Sequence, residues 1–180
     1  MKLEEVVKFR KEAVSLLEKA HIAVTPQEMD RIEVSDFGLG DIENLGLIVL
    51  VYENNDRYCA KEIILLPRQL CPEHRHPPIS ETNIGKQETF RCRFGGVYLY
   101  VPGESVAQPK ARVPEKYRKF YTVWNEIVLR PGEQYTLPPN TLHWFQGGDR
   151  GAVLSEFSST STDENDILTD PQLRRLPEID

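Results

Sequence analysis

Glu88-Thr89-Phe90-Arg91-Cys92-Arg93-Phe94-Gly95-Gly96-Val97-Tyr98-Leu99-Tyr100-Val101 is the stretch on which the reading of the fold turns. On either side of the double glycine the residues are rich in β-branched or aromatic side chains, the texture of a short strand. Residues 88–94 and 97–101 therefore read as two strands, with Gly95-Gly96 as the turn signal between them. The same texture extends outward in both directions. Residues 45–52, 58–66, 122–129, 133–137 and 151–157 are further short runs rich in β-branched or aromatic side chains. Asn54-Asn55-Asp56, Pro131-Gly132, Pro138-Pro139-Asn140 and Gly147-Gly148-Asp149 punctuate them. Many short strands at this spacing imply a mainly β protein, an antiparallel sandwich or barrel, and not a parallel sheet.

The flanks read differently. Leu3, Val6, Val7, Ala13, Val14 and Leu17 recur at helical spacing among charged residues. Thr25-Pro26-Gln27-Glu28 is a capping box with proline at the first helical position, which predicts a second, short helix. Asp36-Phe37-Gly38-Leu39-Gly40 then supplies turn chemistry. The division expected is a helical extension over residues 1–44 packed outside a barrel of residues 45–157. A C-terminal segment, residues 158–180, is polar and acidic, but Ile167, Leu168, Leu173 and Leu176 predict that it packs back on the barrel. Residues 102–121 are long, basic and proline-bearing, and read as an ordered excursion or a subunit contact.

At 180 residues the chain is most simply one domain. Its 39% hydrophobic and 28% charged content is that of a globular protein. A net charge of -6 without a continuous basic patch argues against nucleic acid as a partner. No apolar run is long enough to span a bilayer, and Met1-Lys2-Leu3-Glu4-Glu5 does not resemble a signal peptide. Cys59, Cys71 and Cys92 are odd in number and lack CxxC spacing, so they read as reduced thiols in a cytoplasmic protein.

The chemistry concentrates in Cys71-Pro72-Glu73-His74-Arg75-His76. Alternate strand residues share a face, so His74 and His76 point the same way. Pro72 before the pair and Pro77-Pro78 after it stiffen the chain on both sides. His143, after Pro138-Pro139-Asn140-Thr141-Leu142, is a third imidazole, and its setting resembles the second half-motif of a cupin barrel. For the carboxylate, Glu73, Glu81 and Glu88 compete; Glu81 lies nearer the common cupin spacing but in a polar loop. Glu88 is preferred, because it opens a strand. Three imidazoles and one carboxylate suit Mn²⁺, Fe²⁺, Co²⁺, Ni²⁺ or Zn²⁺. Cys71 adjoins the pair as a possible ligand or nucleophile, though a packed thiol is the simpler reading.

The chain from about residue 61 onward resembles the D-lyxose isomerases of the cupin superfamily. The resemblance rests on Cys71-Pro72-Glu73-His74-Arg75-His76-Pro77, on Gly85-Lys86-Gln87-Glu88-Thr89-Phe90-Arg91-Cys92, on Val97-Tyr98-Leu99-Tyr100-Val101 and on the stretch 138–144. Ser155-Glu156-Phe157-Ser158-Ser159, Asp170-Pro171 and Arg175-Leu176-Pro177 continue it. Gln87 departs from it, standing where an acid is expected. The resemblance implies a cupin-type jelly roll and a Mn²⁺ ion, with Co²⁺ as a possible substitute, held by His74, His76, Glu88 and His143. It also implies a free monosaccharide as substrate and aldose–ketose isomerisation between D-lyxose and D-xylulose, with D-mannose and D-fructose as a related pair.

Isomerisation needs a base to carry a proton between neighbouring carbons. Glu156 is a lone acid in the apolar run 151–157, and Lys61 stands out similarly beside Cys59, Ile63 and Leu65. Both are expected to bind substrate and act in catalysis, and Arg175 either closes over the sugar or makes a structural ion pair. Phe90, Trp144 and Phe157 are equally candidates for pocket wall or core. An Fe²⁺ dioxygenase and a non-catalytic sugar-binding cupin are the alternatives. A phosphosugar would need a cradle that Lys86, Arg91, Arg93 and Lys110 do not compactly form. A homodimer is expected, because cupin barrels expose a sheet face and edges that a partner commonly covers.

Overall fold

The computed structural model describes residues 1–175. The chain runs α1 (Leu3–Lys19), α2 (Pro26–Arg31), β1 (Glu33–Ser35), β2 (Leu47–Asn54), β3 (Cys59–Leu65) and β4 (Leu70–Arg75). It continues through β5 (Glu88–Val101), α3 (Glu115–Arg118), β6 (Asn125–Leu129), β7 (Gln134–Leu137), β8 (His143–Ser158) and β9 (Ile167–Leu168), with a 3₁₀ turn at Asp163–Asn165. All strand pairs are antiparallel, and the mainly β, cupin-type jelly roll predicted from the sequence is the fold observed.

The two glycine pairs expected to be turns are not turns. β5 and β8 pair from Glu88↔Ser158 to Tyr100↔Trp144, and the register shifts between Gly95 and Val97 without either strand ending. Gly95-Gly96 and the glycines from 147 to 151 form a corner around which both strands bend. Gly95 lies at φ +72°, and a Cβ there would collide with the Gly151 carbonyl oxygen. Gly151 lies at φ +75°, and its Cβ would meet the Leu65 carbonyl oxygen at 2.6 Å. The backbones approach too closely for a side chain, and a left-handed φ relaxes only for glycine. A double glycine between two strand-like runs carries the same local signal for a hairpin and for a bent strand, and only the long-range pairing separates them.

The corner splits the pairing into two halves. In one, β1, β2 and β3 lead onto residues 152–158 of β8, then to residues 88–95 of β5 and finally β7. In the other, β9 pairs with β4, which pairs with the start of β8, followed by residues 97–101 of β5 and β6. Leu47, Val49, Ile63, Leu65, Phe90, Leu99, Phe145 and Leu154 belong to one core cluster. Alternate residues of the first half, Ile48, Leu50, Ile64 and Val153, face outward beneath α1. Residues 47–50 of β2, 61–65 of β3 and 151–156 of β8 are buried on both faces, which is why they read as near-continuous apolar runs.

α1 does lie outside the barrel, but on a stripe displaced from the predicted one. Val6, Phe9, Ala13, Leu16 and Leu17 are buried, whereas Leu3 is 60% and Val7 42% exposed. The capping box of α2 is formed as read, with the Thr25 hydroxyl accepting from the Glu28 amide at 3.2 Å and the Glu28 carboxylate accepting from the Thr25 amide at 2.8 Å. β4 is not among the apolar runs read as strands, since Pro72 and three charged or imidazole residues mask its pattern; only the alternation of His74 and His76 points to it. Within residues 102–121, Ala111, Tyr117 and Tyr121 are buried. Glu126 fastens that excursion by accepting from the Lys110 amide at 2.6 Å. In the C-terminal segment, β9 pairs with β4 and Leu173 is buried, while Ile167 is largely exposed; Leu176 lies outside the described residues. Among the described residues no helix is long and apolar enough to cross a membrane.

The corner makes a stability prediction. Gly95→Ala should lower the unfolding free energy by more than ~2 kcal/mol, since strain and clash combine. Gly132, at φ +93° with nothing within 4 Å of where a Cβ would stand, is the control. Gly132→Ala should lose only about 1 kcal/mol. Urea denaturation of the two variants measures the difference, and equal losses would mean that close approach at the corner is unimportant.

Candidate metal centre and active site

Between Cys71↔Phe145 and His74↔His143, three residue steps on β4 oppose two on β8, so Pro72-Glu73 forms a bulge. The bulge lets Cys71 and His74 both line the central cavity, as His76 does just beyond the strand. Glu73 is occupied elsewhere. Its carboxylate accepts from the amides of Thr122 (2.6 Å) and Val123 (3.0 Å) and from the hydroxyls of Thr122 and Thr169 (2.8 Å each). Glu81 is exposed in its loop, whereas Glu88 is buried beside the imidazoles. Of the three acids weighed from the sequence, the fold brings Glu88 to the histidines.

The ligand-bearing ring atoms of His74, His76 and His143 all lie within 4.8 Å of one another. Each ring is held from behind. His74 Nδ1 lies 2.8 Å from the Pro72 carbonyl oxygen, His143 Nδ1 lies 2.9 Å from the Thr141 carbonyl oxygen, and His76 Nδ1 pairs with Asp166. A carbonyl oxygen only accepts, so His74 and His143 carry their proton on Nδ1 and turn an Nε2 lone pair inward. Nε2 of His76 and of His143 approach Glu88 Oε1 at 3.2 and 3.0 Å. Yet these three atoms, all buried, make no hydrogen bond. Converging buried acceptors without partners are what a divalent cation requires, and the residues present fit one.

The electrostatics agree. Burial and the neighbouring His143 and His76 hold His74 well below its ordinary value, in the neutral ligating form. Burial also opposes a charged His76, but Glu88 and Asp166 outweigh it and raise that group to about 9. Burial works against an ionised Glu88 too, yet the Lys86 ammonium and His76 hold it well below the usual carboxylate range. The centre thus calls for positive charge at the point where the lone pairs meet.

Beside it lies a second set of charges. Lys61 is paired with Glu156 across β3 and β8, and Phe90 of β5 flanks Glu156 on the other side. Glu156 Oε1 is 3.4 Å from Lys61 Nζ and 3.1 Å from Lys86 Nζ, and Lys86 Nζ is 2.8 Å from Glu88 Oε2. Asp163 Oδ2 lies 3.8 Å from Lys61 Nζ and accepts from Arg175 Nη2 at 2.7 Å. These groups line one cavity.

Over residues 2–180 the sequence matches the D-lyxose isomerase family. The chain belongs to that family. It is 63% identical over 180 residues to a D-lyxose ketol-isomerase of a Thermofilum species, covering 99% of each chain. It is 59% identical over 180 residues to a D-lyxose/D-mannose isomerase of Thermosediminibacter oceani, covering 100% of this chain and 99% of that one. A crystal structure of an Acinetobacter L-ribose isomerase with L-ribose shares the fold at a TM-score of 0.81 and 15% identity, over 100% of this chain and 98% of that one. The protein is therefore a sugar isomerase, and the dioxygenase and binding-protein alternatives recede.

In this isomerase His74, His76, Glu88, Lys61, Glu156 and Arg175, all singled out from the sequence, line one cavity, and His143, also singled out, adjoins it beside Glu88 and the other two imidazoles. Lys86, Asp163 and Asp166 are additions that the sequence reading misses for this cavity. Lys86 shares a face with Glu88 two residues on, a signal that alternation alone carries; Asp163 and Asp166 sit in a polar segment that reads as solvent-exposed. The aromatic candidates separate. Phe90 lines the cavity, Trp144 stacks on Tyr100 at 3.9 Å in the core, and Phe157 is 54% exposed. Cys71 is a buried wall residue whose thiol burial pushes well up, which removes it as a nucleophile. Arg91 pairs with Gln134, Arg93 with Ser155 and Lys110 with Glu126, all away from the cavity, so no phosphate cradle forms among them.

Asp163 sets an acid dependence. Burial would raise its carboxyl, but Lys61 and Arg175 outweigh burial and hold it well below the ordinary range. A group with a depressed folded-state value stabilises above its unfolded value, near pH 4, and that contribution is lost as pH falls. Asp163→Asn should lower stability by ~1–2 kcal/mol at pH 7 and by progressively less below about pH 4. Urea midpoints at pH 7 and pH 3 test this; an equal deficit at both would exclude ion pairing as its source.

Proposed function

We propose that this isomerase interconverts D-lyxose and D-xylulose, and D-mannose and D-fructose as a second pair, with the help of a divalent metal ion, Mn²⁺ before Co²⁺. The observation that carries the reading is the buried Glu156 carboxylate, joined through Lys86 to Glu88 at a set of unpartnered imidazole nitrogens. The names of the relatives supply the sugars, and the donor set of three imidazoles and one carboxylate suits the metal.

His74, His76, Glu88 and His143 would hold the ion, which as a Lewis acid polarises the carbonyl of an open-chain sugar. Glu156 takes the proton from C2 of the aldose and returns it to C1; the C2–H bond breaks, a C1–H bond forms, and the hydroxyl proton of O2 ends on O1. Glu156 is 1% exposed, so water has little access to the proton while the carboxylate holds it. The ammonium groups of Lys61 and Lys86 supply counter-charge to that carboxylate and hydrogen-bond donors to sugar oxygens as negative charge develops on them. Arg175, held by Asp163, flanks the same cavity and orients the sugar. Arg91, Arg93 and Lys110 are engaged away from the cavity and Lys86 is taken up by Glu88 and Glu156, which supports a free sugar.

Chelator-stripped protein reloaded with Mn²⁺ and offered a panel of aldoses and ketoses tests the reading. D-Lyxose and D-mannose should turn over, and failure to interconvert any aldose–ketose pair would sink it. Glu156→Gln should retain metal while kcat falls by roughly 10²–10⁴-fold; near-normal turnover removes Glu156 from the mechanism. His143→Ala should lose bound metal by elemental analysis, and full occupancy would refute its ligand role.

A further inference from the structure

His76 is held differently from the other two imidazoles. His74 and His143 are pinned by carbonyl oxygens two residues earlier in their own chain segments, at 2.8 and 2.9 Å. His76 Nδ1 is instead pinned by Asp166, 90 residues away, in the C-terminal segment. The 3₁₀ turn at Asp163–Asn165 immediately precedes that residue, and Asp163 on this turn reaches Lys61 and Arg175. One turn of chain therefore touches both the metal-ligating and the proton-transferring side of the cavity.

The segment that carries this turn is tied down mostly by polar contacts. Thr160 donates to the Asn55 carbonyl at 2.8 Å, and Ser161 exchanges two hydrogen bonds of 3.0 Å with the Asn54 side chain. Glu164 and Asn165 are exposed, and Ile167 and Leu168 pair with β4 over two residues only. Leu173 is the buried aliphatic side chain of residues 159–175. So little apolar burial leaves the segment's stability dependent on its polar contacts, the carboxylates of Asp163 and Asp166 among them.

We propose that Asp166 is a positioning residue for His76, and that docking of residues 159–175 is linked to occupancy of the metal centre. The inference rests on the metal-dependent reading above. An imidazole without a partner at Nδ1 divides its proton between two tautomers and is free to turn about its ring bond. The Asp166 carboxylate selects the tautomer with Nδ1–H, fixes the ring plane and makes Nε2 a better donor to a cation. Linkage then runs both ways: the factor by which the docked segment tightens metal binding equals the factor by which metal stabilises docking. Since Asp163 is on the same turn, metal loss also loosens the group that orients Lys61 and Arg175.

The test measures Mn²⁺ affinity by titration calorimetry for wild type, Asp166→Ala and Asp166→Asn. Hydrogen exchange across residues 159–175 is followed in each protein with and without Mn²⁺. Asp166→Ala should bind Mn²⁺ about 10–100-fold more weakly. Asp166→Asn keeps an acceptor for Nδ1–H and should recover most of that loss. Mn²⁺ should slow exchange in the segment of the wild type and have little effect on it in Asp166→Ala. An Asp166→Ala affinity within twofold of wild type, or a wild-type segment whose exchange ignores Mn²⁺, overturns the inference. A wild type that binds no Mn²⁺ overturns the metal reading itself, which keeps the two failures distinct. Should Asp166→Ala not fold, the wild-type exchange comparison decides alone.

Discussion

The pairing of β5 with β8 around a glycine corner is the constraint on which the rest depends. His143 and Glu156 lie on the same strand, and a straight strand would hold them roughly 40 Å apart. They are nevertheless connected through Glu88 and Lys86 by contacts of 3.0, 2.8 and 3.1 Å. That is possible because both strands turn together at Gly95 and Gly151, where backbone lies too near backbone for any side chain. The bend keeps the ladder hydrogen-bonded on both sides of the corner while facing the two halves toward each other. The active site is a product of that closure.

Charge balance decides what the closed cavity can contain. Among its lining residues, Glu88, Glu156, Asp163 and Asp166 meet the permanent cations Lys61, Lys86 and Arg175. Buried ions persist only when paired, and these form a continuous network with one carboxylate in excess. His76 answers the deficit by holding its proton up to about 9. A divalent cation placed between the imidazoles answers it as well, and brings coordination to atoms that otherwise have no partner. The same deficit that makes the protonated imidazole favourable therefore makes cation binding favourable.

How much of this is legible in the sequence follows from the range of each signal. The strand texture of residues 88–94 and 97–101, the capping box at Thr25 and the pairing of His74 with His76 are local, and each stands in the structure where the sequence places it. Gly95-Gly96 misleads because its meaning lies in what passes opposite, at Gly151 and Ala152, which no local pattern contains. β4 is hidden by Pro72 and by the bulge that breaks its period between Cys71 and His74. The stripe on α1 is displaced because apolar residues lie on more than one face, and packing against Ile48, Ile64 and Val153 favours Phe9 and Leu16 over Leu3 and Val7. Asp163 and Asp166 carry no local sign at all, since an acid in a polar stretch looks solvated until its cationic or imidazole partner is in place.

Lys86 shows why the two sides of the cavity act as one. A single buried ammonium group contacts both Glu88 Oε2 and Glu156 Oε1. Burial opposes that charge, but Glu156 and Glu88 together hold it well above the ordinary lysine value. An ion bound at Glu88 draws on the same carboxylate that Lys86 now stabilises, and so leaves more of the ammonium's field to Glu156. In a cavity of low dielectric, contacts near 3 Å carry such redistribution strongly. In the proposed mechanism Glu156 would therefore sense occupancy at Glu88 through one side chain.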